Sequence, residues 1–268
     1  MALVKDNTPY SAIATADAES ITVRGMDLCT QLIGEVGFTD YFYFLVTGQM
    51  PSADQRFFTD AVLVAIAEHG MTTSVQAARM TLAAEPGALQ GAVAAGILGC
   101  GSVVLGSAES AGKFLSGLVT KAKESGQSFE DVARAGLKEL RAAKRPVPGY
   151  GHPKHHGGDP RTDRLLALAK SRNTVGDHIA MLLAVEKIIP EVYGRALPIN
   201  VSGAIPAVIL DVGFPVGALK GIPILARTAS LIGHLHEETQ RPMGFILSRH
   251  SADTVVYDGP PAKPAAAG

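Results

Sequence analysis

The 268-residue sequence predicts an all-α protein. Three observations lead there. Alanine, leucine and glycine are abundant in a composition that is 47% hydrophobic and 18% charged, and runs of β-branched residues are short, which favours helix. Apolar residues recur at helical spacing in one segment after another. Cap residues, glycines and prolines stand where those segments start and stop. A chain of this length can bury one large core or two lobes.

Residues 1–20 carry little pattern. Ile21–Cys29 alternates like a short strand or turn leading into Gly25. Thr39 can cap a helix over Asp40–Thr47 with Phe42, Leu45 and Val46 on one face. Gly48 ends that helix, with Pro51 just beyond. Ser52 and Gln55 have the spacing of a capping box. The next helix, Ala53–Glu68, is apolar at Phe57, Phe58, Ala61, Val62, Val64, Ala65 and Ile66, a stripe wide enough to be largely buried. It closes on Glu68-His69-Gly70, where the dipole favours a cationic histidine. Ala88–Leu105 is the longest apolar run. Its glycines and its lack of basic flanks fit tight helix packing better than a membrane span. Ser128 and Asp131 start a helix with Phe129, Val132, Ala133, Leu137 and Leu140 as its stripe. Leu165–Lys170 continues another. Asp177–Ile189 is a third, with Ile179, Leu182, Leu183, Val185 and Ile188 inward, and Pro190 and Pro198 punctuate the chain beyond it. The tail Asp258–Gly268 is rich in proline and alanine and is expected to fray.

The net charge of −1, without a basic block, argues against nucleic acid as the main partner. No charged segment leading into an apolar one opens the chain, so no signal peptide is expected. Cys29 and Cys100 stand in unrelated contexts. They suit a reducing, cytoplasmic compartment and small buried packing roles better than a disulfide or metal site. His234 and Glu237 lie one helical turn apart, but no third ligand is evident, so a metal is not expected.

Val147–Arg161, VPGYGHPKHHGGDPR, is the stretch that points to function. Gly149, Gly151, Gly157 and Gly158 allow positive φ and close approach to a ligand. His152, between Gly151 and Pro153, belongs to a loop. Asp159 and Pro160 read as N-cap and first residue of a helix. Arg161 then lies in the first turn, where positive charge opposes the dipole. An anionic ligand would give that cation a reason to be there.

The pattern PGYGHPxxxxxDPR resembles the catalytic loop of the citrate synthase superfamily, which includes citrate synthases, citryl-CoA lyases and the C-terminal domain of ATP-citrate lyase. Further stretches support the resemblance. They are Arg24-Gly25-Met26-Asp27, the Gly48-Gln49-Met50-Pro51-Ser52 turn, His69-Gly70 with Ser74 beyond it, Pro198-Ile199-Asn200-Val201-Ser202-Gly203, and the Arg227 helix. Ser248-Arg249 with Tyr257-Asp258-Gly259-Pro260 after it is similar to the family's end, with Arg241-Pro242 as the competing match. The likeness covers about residues 20–260.

The resemblance implies a citrate synthase-like all-α fold with a large helical domain, 1–109 and 201–268, and a small one, 110–200. It implies that His152 binds the ketone or hydroxyl oxygen of a dicarboxylate and does the central chemistry. His69, Arg161, Arg227 and Arg249 would bind substrate carboxylates. Gly149, Tyr150, Gly151 and Lys154 would contact coenzyme A, which enters as a thioester substrate or product, with no covalently bound cofactor. Lys138, Arg141, Lys144 and Arg145 either help hold its phosphates or form a solvated face. Arg249 would serve the neighbouring subunit's site. That role, with the apolar Ala88–Leu105 segment, implies a homodimer or a higher oligomer, binding small carboxylates and CoA thioesters but neither nucleic acid nor membrane.

Two positions depart from the family. Leu105 stands where synthases have the histidine that stabilises the enolate, and Ser202 stands where they have the aspartate base. Glu109, one turn beyond Leu105, either supplies a carboxylate there or is a solvated helix residue. Citryl-CoA lyase action demands less of these two positions than synthesis. A synthase-type condensation, or altered chemistry or a binding role on the same scaffold, is the alternative.

Overall fold

A computed structural model describes residues 9–101, 107–151 and 158–261. The fold is all-α apart from a small N-terminal sheet. Two compact units divide it: residues 1–68 with 102–226, and residues 69–101 with 227–268. These boundaries differ from the lobes 1–109 with 201–268 and 110–200 expected from the sequence.

The first unit opens with an antiparallel sheet of β1 (Ala14–Ala16), β2 (Ile21–Val23) and β3 (Met26–Asp27), with Ala14 opposite Val23 and Val23 opposite Met26. Arg24 and Gly25 make the β2–β3 turn with positive φ at both. The Arg24 guanidinium donates to the Leu45 carbonyl at 2.7 Å, which fastens the turn to helix α1, Phe38–Thr47. A short π-helix, Leu28–Leu32, comes after the sheet, capped by Asp27. Gly37 is the N-cap of α1. Thr39, the expected cap, donates instead to Asp60 at 2.5 Å. Gly48 ends α1 in the left-handed conformation, and both halves of the Ser52–Gln55 capping box open α2, Ala53–Ala67.

The core of this unit is built around α9, Val201–Asp211. Its sequence is apolar on every side, and nearly every residue is buried, as a helix enclosed by others requires. It packs against α5 (Ser107–Ser125), α7 (Pro160–Ser171), α8 (Asp177–Tyr193) and α2. Helix α6, Phe129–Ala142, starts on Ser128 and packs on α8 and α5. Three inward assignments are corrected. Val64 of α2 and Leu183 of α8 are exposed, because both helices bury a stripe narrower than their apolar content. Cys29 is exposed as well, whereas Cys100 is buried. Pro190 does not end α8. It sits in the last turn, and the helix runs on to Tyr193 before Gly194 turns left-handed.

The second unit holds α3 (Thr73–Ala84), α4 (Leu89–Leu98), α11 (Gly244–Thr254) and the part of α10 (Gly221–Gln240) from Arg227 onward. Val75, Ala78, Leu82, Ala92, Leu231 and Leu235 form its core. A Cβ on Gly96 would stand 2.7 Å from Leu231 and 3.0 Å from the Ser74 carbonyl, so glycine lets α4 approach that closely. One described stretch, Val216–Gln240, is long and apolar enough to cross a membrane by length and composition. Leu231 and Leu235 within it are buried in this core.

An ion cluster ties the second unit together. Arg79 of α3 is 0% exposed. Its guanidinium donates to Glu238 at 3.0 Å, to Glu237, and meets His234 Nδ1 at 3.0 Å. The other Glu238 oxygen accepts the Met243 and Gly244 amides at 2.8 and 2.7 Å, which sets the start of α11. His234 and Glu237, spaced like a metal pair in the sequence, both face Arg79.

Candidate active site

Within the first unit, two helices begin close together, α7 at Pro160 and α9 at Val201, beside Ser107 of α5. The Ser107 hydroxyl donates to Ser202 Oγ at 2.9 Å, joining α5 to α9. The Val201 amide donates to Asp159 Oδ2 at 3.3 Å, joining α9 to the cap of α7. Each helix start carries partial positive charge, and each free amide there can bind an anion.

Gly149 and Gly151 are fixed to the same place. Gly149 and Gly151 have φ of +88° and +80°, as expected for those positions, and Gly158 has +113°. The Gly149 carbonyl accepts the Asn200 amide at 3.0 Å, and the Gly151 amide donates to the Pro198 carbonyl at 2.8 Å. Asn200 does two jobs. Its Oδ1 accepts the Ser202 amide at 3.0 Å, capping α9, and its Nδ2 donates to the Gly151 carbonyl at 2.7 Å. Gly149 and Gly203 touch back to back: a Cβ on either would come within 2.7 Å of the other's backbone. Two glycines far apart in sequence are therefore required as a pair.

Arg161 has a different local reason for its position from the one expected. Its Nε and NH2 donate to the two oxygens of Asp159 at 3.0 and 2.8 Å, a bidentate fork. Asp159 is 1% exposed and also caps α7 through the Arg161 amide. Burial alone would raise the Asp159 pKa. The hydrogen bonds and charge of Arg161, with the Val201 amide, outweigh it and hold the carboxyl below its ordinary value. The aspartate thus stays ionised, and it neutralises the cation that an anionic ligand was expected to explain. The Arg161 side chain stays 23% exposed, and its NH1 also donates to the Ala65 carbonyl at 3.5 Å.

Tyr150 turns inward. Its hydroxyl donates to the Leu182 carbonyl at 2.7 Å, and burial, with a smaller push from Glu186, holds its pKa well above the ordinary phenol value. Only its main chain can serve a CoA contact. Glu109 pairs with Lys113 at 2.7 Å, and that hydrogen bond draws its pKa down.

The structure therefore brings together Gly149, Tyr150, Gly151, Arg161 and Ser202. His152, Lys154 and Leu105 lie outside the described residues. His69, Arg227 and Arg249 belong to the second unit. His69 is exposed just after α2, Arg227 is 1% exposed in α10, and Arg249 is exposed on α11. Sequence reasoning missed Ser107 and the bridging role of Asn200. Asn two residues before Ser202 is a cap signal that could have been read. Nothing local marks Ser107.

Residues 55–247 match the family described as citrate synthase, C-terminal domain. The chain is 28% identical over 207 residues to citrate/2-methylcitrate synthase of Bacillus subtilis (strain 168). That match covers 76% of this chain, which spans only 53% of that relative's length. Among solved structures it is similar to citryl-CoA lyase from Hydrogenobacter thermophilus, with TM-score 0.84 and 31% identity over 95% of this chain and 96% of that one. It shares its fold with ATP citrate lyase from Methanothrix soehngenii in complex with citrate and coenzyme A, with TM-score 0.76 and 22% identity over 96% of this chain and 42% of that one.

Proposed function

Because the chain belongs to the citrate synthase family, we propose that it is a carbon–carbon lyase cleaving a citryl-CoA-like thioester to acetyl-CoA and an oxaloacetate-like keto acid. The observation that carries this reading is the Ser107–Ser202 hydroxyl pair at the start of α9. A serine hydroxyl is a poor base near neutrality, so the position does not suit abstraction of a methyl proton. The pair can present an O–H to an oxygen, which suits a leaving enolate held beside the starts of α7 and α9. The likeness to citryl-CoA lyase along nearly the whole of both chains supports the same choice. In this reading His152 takes the proton from the tertiary hydroxyl as the carbon–carbon bond breaks. By the family resemblance, Arg161, Arg227, His69 and Arg249 of the partner subunit take the carboxylates of the keto acid. The enolate of acetyl-CoA is then protonated by water. The resemblance to the Bacillus synthase keeps condensation as the second reading.

Incubation with citryl-CoA should release oxaloacetate and acetyl-CoA. Ser202→Ala should slow this by less than about tenfold, since one neutral hydrogen bond contributes on the order of 1 kcal/mol. Ser202→Asp should allow exchange of acetyl-CoA methyl protons with solvent, read by NMR, that the native protein lacks. A larger loss in Ser202→Ala than in His152→Ala would move the chemistry to the serine. Dicarboxylate binding with no turnover of citryl-CoA would favour a binding role.

A homodimer is part of this proposal. The second unit exposes Leu98 at 86%, Phe245 at 66% and Ile246 at 64%, with Leu89 and Ile232 about half exposed. So many large apolar side chains on one unit are expected to be covered. Light scattering at micromolar concentration should give twice the chain mass; a monomer there would refute it.

A further inference from the structure

A second set of reactive side chains lies in the first unit, on α5, α8 and α9, and the proposed lyase chemistry uses none of it. Ser116 Oγ is 3.1 Å from His178 Nε2, and His178 Nδ1 is 2.9 Å from Asp211 Oδ1. The Asp211 side chain is 2% exposed. It also accepts the Gly176, His178 and Ile179 amides at 2.8, 2.8 and 3.0 Å. Four donors on one carboxylate fix its position. A Cβ on Gly176 would stand 2.8 Å from that carboxylate, so the amide can come this close only from glycine.

This arrangement settles the imidazole tautomer. Both Asp211 oxygens accept backbone amides, so Nδ1 is the donor to Oδ1 and carries the proton. In the neutral ring Nε2 is then the lone-pair nitrogen, and the Ser116 hydroxyl is its donor. Nucleophile, base and orienting carboxylate stand in hydrogen-bond reach in the order a serine nucleophile needs. Ser116 and His178 are both partly exposed, so a small reagent can reach them.

We infer that Ser116 is an acyl-acceptor site, activated by His178 and Asp211, for small activated carboxylic esters. Ser116 Oγ attacks the acyl carbon and its proton passes to His178 Nε2. The bond from the acyl carbon to the leaving oxygen breaks, and the imidazolium returns the proton to that oxygen. Water later hydrolyses the acyl-serine to carboxylic acid and free Ser116. Ser116 lies inside α5, whose amides are spent on its own i→i−4 bonds. They offer no oxyanion hole, so both steps lack that assistance. The acyl-serine should accumulate rather than turn over quickly.

The test exposes the folded full chain to p-nitrophenyl acetate and maps acetylated peptides by mass spectrometry over time. Ser116 should acetylate at least about 100-fold faster than the exposed helix serines Ser125 and Ser171, the lower range for general-base assistance. Equal labelling of the three would overturn the proposal. Ser116→Ala should abolish that adduct. His178→Gln should drop Ser116 to the level of the other two, and wild-type labelling in that variant would also overturn it. If His178→Gln fails to fold by circular dichroism, the ratio within the native protein decides alone.

Discussion

His152→Ala is expected to lower the rate of citryl-CoA cleavage by about 100- to 10,000-fold, the usual range for loss of a general acid–base. In the proposed reaction the imidazole accepts the proton of the tertiary hydroxyl, the role that the family resemblance gives to His152 rather than to His155 or His156. Tyr150 is buried and committed to the Leu182 carbonyl. Coenzyme A and dicarboxylates should still raise the thermal midpoint of the variant, because binding stabilises by mass action and Gly149 and Gly151 are held by main-chain bonds to Asn200 and Pro198. Rapid-quench measurement of keto acid release is the decisive reading. A variant that cleaves at the native rate would remove the loop from the chemistry. A variant that neither cleaves nor binds would show that His152 shapes the loop.

Arg79→Ala is expected to cost the second unit about 3–5 kcal/mol, the effect of leaving one partner of a buried ion pair alone. Glu238, buried with it, would lose its main counter-ion. The start of α11 hangs on that carboxylate through two amides. Hydrogen exchange of residues 240–254 should therefore accelerate together with a fall in urea resistance. Arg79→Met combined with Glu238→Gln should recover most of the loss, because the amide oxygen still caps α11 and no buried charge remains. A single variant within about 1 kcal/mol of the native protein would contradict the cluster's role.

Much of this was legible in the chain. The Ser52–Gln55 box, the Asp159-Pro160 start, the Ser128 cap and the Gly48 stop all lie within a few residues of what they control, and all are found. Positive φ at Gly149 and Gly151 was legible for the same reason. The apolar stripes were read less well. Val64 and Leu183 fit the helical period yet face outward, since period tells where a face can be and not how wide its cover is. The short sheet arises because positive φ at both Arg24 and Gly25 turns the chain back on itself, which weak alternation over two or three residues hardly announces.

The sequence by itself determined that the chain is helical, where most helices start and stop, and that residues 148–161 resemble a citrate synthase-type loop. Those features depend on neighbours within one or two turns. Only the tertiary structure decided what stands against what. It set Gly149 against Gly203, Ser107 against Ser202, Arg79 against Glu238, and Ser116 against His178 and Asp211. Each pair is separated by more than 30 residues, so no local period links its members. The contact exists because α9 is enclosed by α2, α5, α7 and α8, and because α3 packs beside α11. Arg161 shows the difference most clearly. In the sequence it is a cation against a helix dipole and in want of an anion. In the fold the buried Asp159 two residues away is already that anion, held ionised by the Arg161 fork together with the Val201 amide that α9 brings to it.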